Sequence, residues 1–151
     1  MKLITRVSVL LISLFSLSMS ADINLDDIFS KDSNRSVVFF FHKDNCGFCE
    51  KMIFEFEDEN ISKILKNKFT FVDINRDDDD TVLYQGKEKS NRGFIKSIGI
   101  DFFPTVIFMD KNQDVIYNIV GYRNKSILKD TLQYISTGSY RDKTFEEFEN
   151  E

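Results

Sequence analysis

The hydrophobic positions of the chain change their spacing several times, and each change marks an element. In INLDDIFSK, Ile23 to Lys31, the residues Ile23, Ile28 and Phe29 recur at helical spacing and predict a first helix. Polar residues then lead into SVVFFFH, Ser36 to His42. This run is short, continuous and rich in Val and Phe, so it predicts a strand covered on both faces. From Gly47 to Phe69 there is no proline, and Met52, Ile53, Phe56, Ile61, Ile64 and Leu65 return at roughly helical intervals. One long helix or two short ones are expected, with Asn60 as break and cap. FTFVDIN, Phe69 to Asn75, alternates in the manner of a second strand. The polar, acidic run Arg76 to Asp80 reads as a surface loop, and SNRGFIKSIGI from Ser90 as a short helix with Phe94, Ile95 and Ile98 inward. TVIFMD (Thr105 to Asp110) and VIYNIVG (Val115 to Gly121) flank the turn-forming stretch Lys111 to Asp114 and predict an antiparallel hairpin. From Asn124 a closing helix places Ile127, Leu128, Leu132 and Ile135 on one face, and Gly138 stops it. The tail Thr144 to Glu151 is acidic and marginally helical. Helix, strand, helix, strand, helix, hairpin, helix is the order of an α/β sandwich around a central mixed sheet.

The first twenty residues follow a different logic. Lys2 and Arg6 make a positive start, Val7 to Leu17 is apolar over about eleven residues, and Ser18 and Ser20 are small. This is the pattern of a signal peptide cleaved after Ser20, and its apolar part is well short of the roughly 20 residues a membrane-spanning helix needs. The segment holds no cysteine to carry a lipid anchor. Residues 21–151 are therefore expected to form one exported, soluble domain without a lasting membrane anchor, its core at about 36–137 and its acidic tail at 138–151.

Composition agrees with a folded chain: 42% of the 151 residues are hydrophobic and 16 are Phe. The net charge of -5 becomes about -7 once Lys2 and Arg6 are removed, and no Lys/Arg cluster offers a phosphate footprint. Nucleic acid is excluded as a partner, and the acidic runs repel an anionic membrane surface.

Both cysteines stand in FHKDNCGFCEKM, Phe41 to Met52, at the end of the buried strand and the start of a helix. A disulfide closing so short a loop removes little entropy from the unfolded chain, so redox chemistry explains the pair better than stapling. At a helix N-terminus the free amides and the dipole favour an anion. Cys46 is therefore expected to be the more acidic thiol and the nucleophile, and Cys49, one turn in, the resolving thiol. Gly47 and Phe48 set the geometry between them. Each tenfold gain in the acidity of Cys46 favours the reduced form by up to about 1.4 kcal/mol, or about 30 mV.

These residues resemble the thioredoxin-like superfamily, in particular its exported bacterial members, over roughly Ser36 to Thr137. Cys46-Gly47-Phe48-Cys49 is similar to the C-G-Y-C of bacterial disulfide isomerases and reductases, and less so to the C-G-P-C of thioredoxin. The resemblance implies a thioredoxin-like fold, with helices on both faces of the sheet. It also implies that Pro104 is cis and faces the cysteine pair, and that the backbone of Phe103 pairs with a bound substrate chain. Gly121 resembles the family's glycine before the last helix. Two departures stand out. Phe40 occupies the place of thioredoxin's buried Asp, six residues before the first cysteine, and Phe103 is bulkier than the usual Thr, Val or Ile before the proline.

Other chemistries fit less well. A zinc site needs four ligands, and the chain offers two Cys and one His. The stretches from Asp73 and from Asp110 begin like calcium loops and lack the glycine and the final Glu that such loops require. His42, Lys43 and Lys51 can tune a neighbouring thiolate, although such residues are more often merely solvated or satisfied, and Glu50 reads as surface. The expected function is thus a periplasmic thiol–disulfide oxidoreductase, with protein disulfides and thiols as substrates. Reductase comes first, with a disulfide-donating oxidase or isomerase, or a non-catalytic binding or chaperone module, as alternatives. No flavin or nucleotide motif is present, so no cofactor is expected, and an outside reductant, a membrane-spanning electron carrier, must restore the pair.

Overall fold

A computed structural model describes residues 21–31 and 34–150. The export segment and cleavage site read at 1–20 lie outside the described residues. The elements run β1 (Ile23–Asn24), α1 (Leu25–Lys31), β2 (Ser36–His42), α2 (Gly47–Glu57), α3 (Glu59–Lys68), β3 (Phe69–Asn75), β4 (Thr81–Tyr84) and β5 (Lys87–Ser90). They continue through α4 (Asn91–Ser97), β6 (Thr105–Met109), β7 (Val115–Val120) and α5 (Lys125–Ser136) to a 3₁₀ turn at Ser139–Arg141 and α6 (Phe145–Glu149).

The main sheet has the order β3-β2-β6-β7, with β2 and β3 parallel and the other two pairings antiparallel, as expected of a mixed sheet. The central strand β2 carries the fold. Its residues Val37 to Phe41 are all buried because both faces of the sheet are covered. Val38 and Phe40 point into a core with Met52 and Phe56 of α2, Ile61 and Leu65 of α3, and Leu128 and Leu132 of α5. Val37, Phe39 and Phe41 point the other way, against Leu25 and Phe29 of α1, Val82 of β4, and Phe94 and Ile95 of α4. Among the described residues no helix is long and apolar enough to cross a membrane.

The structure differs from the periodic reading in three places. The first helix begins at Leu25, because the Asn24 side chain accepts the Asp27 amide at 2.9 Å and starts the helix there; Ile23 lies before it, in a strand. That strand belongs to a second small sheet, β1-β4-β5, which the sequence pattern did not announce. Its hairpin turns through Gln85 and Gly86, both at positive φ (52° and 69°), and their amides donate to the Asp26 carboxylate at 2.7 and 2.8 Å. Finally, the helical stretch after Gly47 is two helices, and the break is at Asp58 rather than Asn60. The Asp58 carboxylate accepts the amides of Asn60 (3.0 Å) and Ile61 (3.4 Å), which an acidic N-cap does well.

Candidate active site

The strand β2 ends at His42 and releases a tight turn in which Asn45 takes a left-handed conformation (φ 54°), a role Asn tolerates. Cys46 follows as N-cap of α2 in extended conformation, and Gly47 is the first helical residue. A Ser or Asp at such a position caps with oxygen, whereas here sulfur does it: Cys46 Sγ accepts the Cys49 amide at 3.2 Å. The two cysteines are joined as a disulfide with Cα atoms 5.2 Å apart. Cys46 is half-buried and Cys49, beneath it, is 1% exposed. On reduction the same amide and helix start face the Cys46 sulfur and favour its thiolate. Phe48, between the cysteines, is 61% exposed.

Two further loops meet this turn. Thr105, the first residue of β6, pairs with Phe41 near the end of β2, so the Phe102–Pro104 loop sits at the sheet edge from which the Cys46 turn departs. The Phe103–Pro104 bond is cis, and Pro104 is buried. The Pro104 carbonyl accepts the Gly121 amide at 2.8 Å, which ties this loop to the one leaving β7; Gly121 adopts φ 84°, open to glycine at little cost. Next to Gly121, Tyr122 stacks on Phe48 with ring centroids 6.3 Å apart and donates its hydroxyl to Glu55 of α2 at 2.6 Å. That acceptor, with some burial, raises the Tyr122 hydroxyl above the usual phenol range. The Arg123 amide reaches Met52 Sδ at 3.5 Å. The structure therefore gathers Cys46, Gly47, Phe48 and Cys49 with Pro104 and Gly121 at one end of the sheet. Phe103 belongs to the same loop as Pro104, and its ring lies 5.5 Å from the Arg76 guanidinium.

Sequence reading missed Tyr122 and Glu55, which are 67 residues apart and carry no local signal. It also missed a polar network under the Cys46 turn. The Asp44 amide donates to Asp77 at 3.2 Å, and Asn75 donates to Asp44 at 2.9 Å. Asp77 accepts from Nε and Nη2 of Arg76 and from Nη2 of Arg92, all at 2.8–2.9 Å. These partners, the Arg76 hydrogen bonds foremost, hold the Asp77 carboxyl below the usual carboxylate range. The run Arg76 to Asp80, read as a solvated loop, thus contributes a side chain only 16% exposed. His42 is engaged by Asp73 at 2.6 Å and stacks on Phe40, while Lys51 lies over the Phe48 ring at 5.5 Å. Lys43 is half-buried and Glu50 exposed. Among the described residues no group of three or more His, Cys, Asp or Glu side chains is placed to hold a metal ion.

A thioredoxin-fold protein from Helicobacter pylori superposes with a TM-score of 0.62 at 21% identity, over 83% of this chain and 88% of that one. A thioredoxin from Thermus thermophilus does so with a TM-score of 0.57 at 18% identity, over 75% and 84%. At these identities the likeness is one of fold. No curated protein matches the chain significantly. The profile of the Thioredoxin-like domain family matches residues 25–136, which spans both cysteines and the cis-proline loop, and the chain belongs to that family.

Proposed function

We propose that the protein is an exported thiol–disulfide oxidoreductase of the periplasm that chiefly reduces disulfides in other polypeptides. The observation that carries this reading is the placement of the pair: a half-buried Cys46 sulfur capped by the Cys49 amide at 3.2 Å, with Cys49 1% exposed below it. The export part rests on the pattern of the first twenty residues.

In the reduced protein the Cys46 thiolate attacks one sulfur of a substrate disulfide. That bond breaks, a mixed disulfide forms, and a substrate thiolate leaves. Cys49 then attacks the Cys46 sulfur and expels the second substrate thiol, its own proton ending on the departing sulfur. Two electrons have passed to the substrate, and the protein is left as the Cys46–Cys49 disulfide. An external dithiol, delivered by a membrane-spanning electron carrier, reverses this change and completes the cycle.

The test is insulin reduction by the mature chain, residues 21–151, with dithiothreitol as reductant. Wild type is expected to accelerate precipitation of the insulin chains and Cys46→Ser to abolish the acceleration, while Cys49→Ser, reduced and freed of dithiothreitol before insulin is added, is expected to accumulate a covalent adduct that reductant releases. No acceleration by wild type, or none lost on Cys46→Ser, would end the reading. Equilibration of the pair with glutathione then separates a reductase, with a potential near the thioredoxin end of about −270 mV, from an oxidant near about −120 mV.

A further inference from the structure

A cavity of about 230 Å³ opens beside the cis-proline loop, lined by Arg76, Arg92, Lys96, Ile95, Ile100, Asp101 and Phe103. This is far more than the roughly 30 Å³ that one water occupies in the liquid, so a side chain with its waters can enter. Its wall is unusual for a chain of net charge -5: it carries three cations and one acidic residue, Asp101, and Asp77 pairs with two of the cations, Arg76 and Arg92. Asp77 takes Nε and Nη2 of Arg76 and Nη2 of Arg92. Nη1 of both guanidinium groups, Nε of Arg92 and the Lys96 amine keep no partner among the described residues, and so remain donors for an incoming anion.

The cavity is also wired to the dithiol. On one side it shares Phe103 with the loop whose Pro104 carbonyl holds Gly121, next to the Tyr122 that stacks on Phe48. On the other, Asp77 bonds the Asp44 amide in the turn that delivers Cys46. A polypeptide lying across the cis-proline loop meets Phe103, the residue this loop shares with the cavity wall. Ile95 and Ile100 in its lining are buried, whereas the Arg92 side chain is 70% exposed, so the cations attract an incoming charge largely through water and salt weakens that attraction.

We propose that this cavity receives an acidic side chain of the substrate polypeptide, close in sequence to the cysteine that Cys46 attacks, and so selects disulfides with a Glu or Asp neighbour. The inference rests on the reductase reading above. It does not change the electron transfer, only which substrates reach it.

The experiment uses disulfide-closed peptides in which one Glu is moved a position at a time through the residues flanking the attacked cysteine, each with its Gln counterpart. Rates of reduction by the reduced protein are followed chromatographically. At one or two positions the Glu peptide is expected to react about 3- to 5-fold faster than its Gln counterpart at low ionic strength, with the ratio falling as salt is added. The ratio should fall most of the way to one in Arg92→Gln/Lys96→Gln, which leaves only Arg76 at the cavity, and fall further in Arg92→Gln/Lys96→Glu. Because it compares two peptides with the same protein, any general loss of activity cancels. Ratios near one at every position in wild type, or a preference undiminished in the double variant, overturn the inference and leave the reductase reading intact. Failure to reduce any peptide overturns both.

Discussion

Phe40 stands where the resembled family carries an acidic proton acceptor, and the structure buries it there. Its ring is 1% exposed, stacked on His42 at 4.9 Å and edge-on to Phe56 at 4.9 Å, within the core built from α2, α3 and α5. An Asp there would lose the ring's contacts and bury a charge without a partner. Phe40→Asp is therefore expected to destabilise the fold by at least about 3 kcal/mol, read from the shift in the urea midpoint, and not to speed Cys49 chemistry. A variant as stable as wild type would show that the site tolerates charge. At this scale the sequence was legible for the cysteine pair at a helix start and for the buried Phe residues, because each carries its meaning in its own chemistry and near neighbours, whereas the cis bond before Pro104 was foreseen only through the family resemblance. Tyr122, Glu55 and Asp77 were not legible, since their roles come from partners brought in by the fold.

Among the elements, periodicity located every long segment, and the misplacements lie where a single side chain sets a boundary. Asp58 rather than Asn60 divides α2 from α3, and Asn24 starts α1 two residues late. The β4–β5 hairpin is the larger omission. Its second strand, Lys87-Glu88-Lys89-Ser90, is polar throughout and shows no alternation, so nothing local distinguishes it from a loop. It is held from outside, by pairing of β1 with β4 and by the Asp26 carboxylate bridging the Gln85 and Gly86 amides. Asp26→Ala should then loosen the turn by about 1 kcal/mol, seen as several-fold faster hydrogen exchange at Gln85 and Gly86 while the amides of β2 are unaffected. Unchanged exchange at both residues would mean that strand pairing alone fixes the hairpin.

For the whole molecule, β2 joins two cores that share no other strand so deeply; the central mixed sheet was foreseeable from the order of elements, and helices on both of its faces from the family resemblance. Charge acts at this scale too. Asp58, Asp77 and Glu147 are held below the usual carboxylate range, chiefly by the Lys125 hydrogen bond, the Arg76 hydrogen bond and the Thr144 amide respectively. Each stays ionised to lower pH in the folded chain than in the unfolded one. Their contribution is complete above the unfolded values of about 4 and is lost as acid protonates the folded carboxyls. Thermal midpoints should be level between pH 7 and 5 and decline below about pH 4; a flat profile down to pH 3 would contradict this. The same packing that shields the molecule from unfolding also divides the fate of its two sulfurs. In the reduced protein an alkylating agent arriving from outside meets Cys46 and is kept from Cys49. Chemical wear should accordingly accumulate at a single atom, silencing an aged molecule at its outer sulfur while the inner one stays pristine.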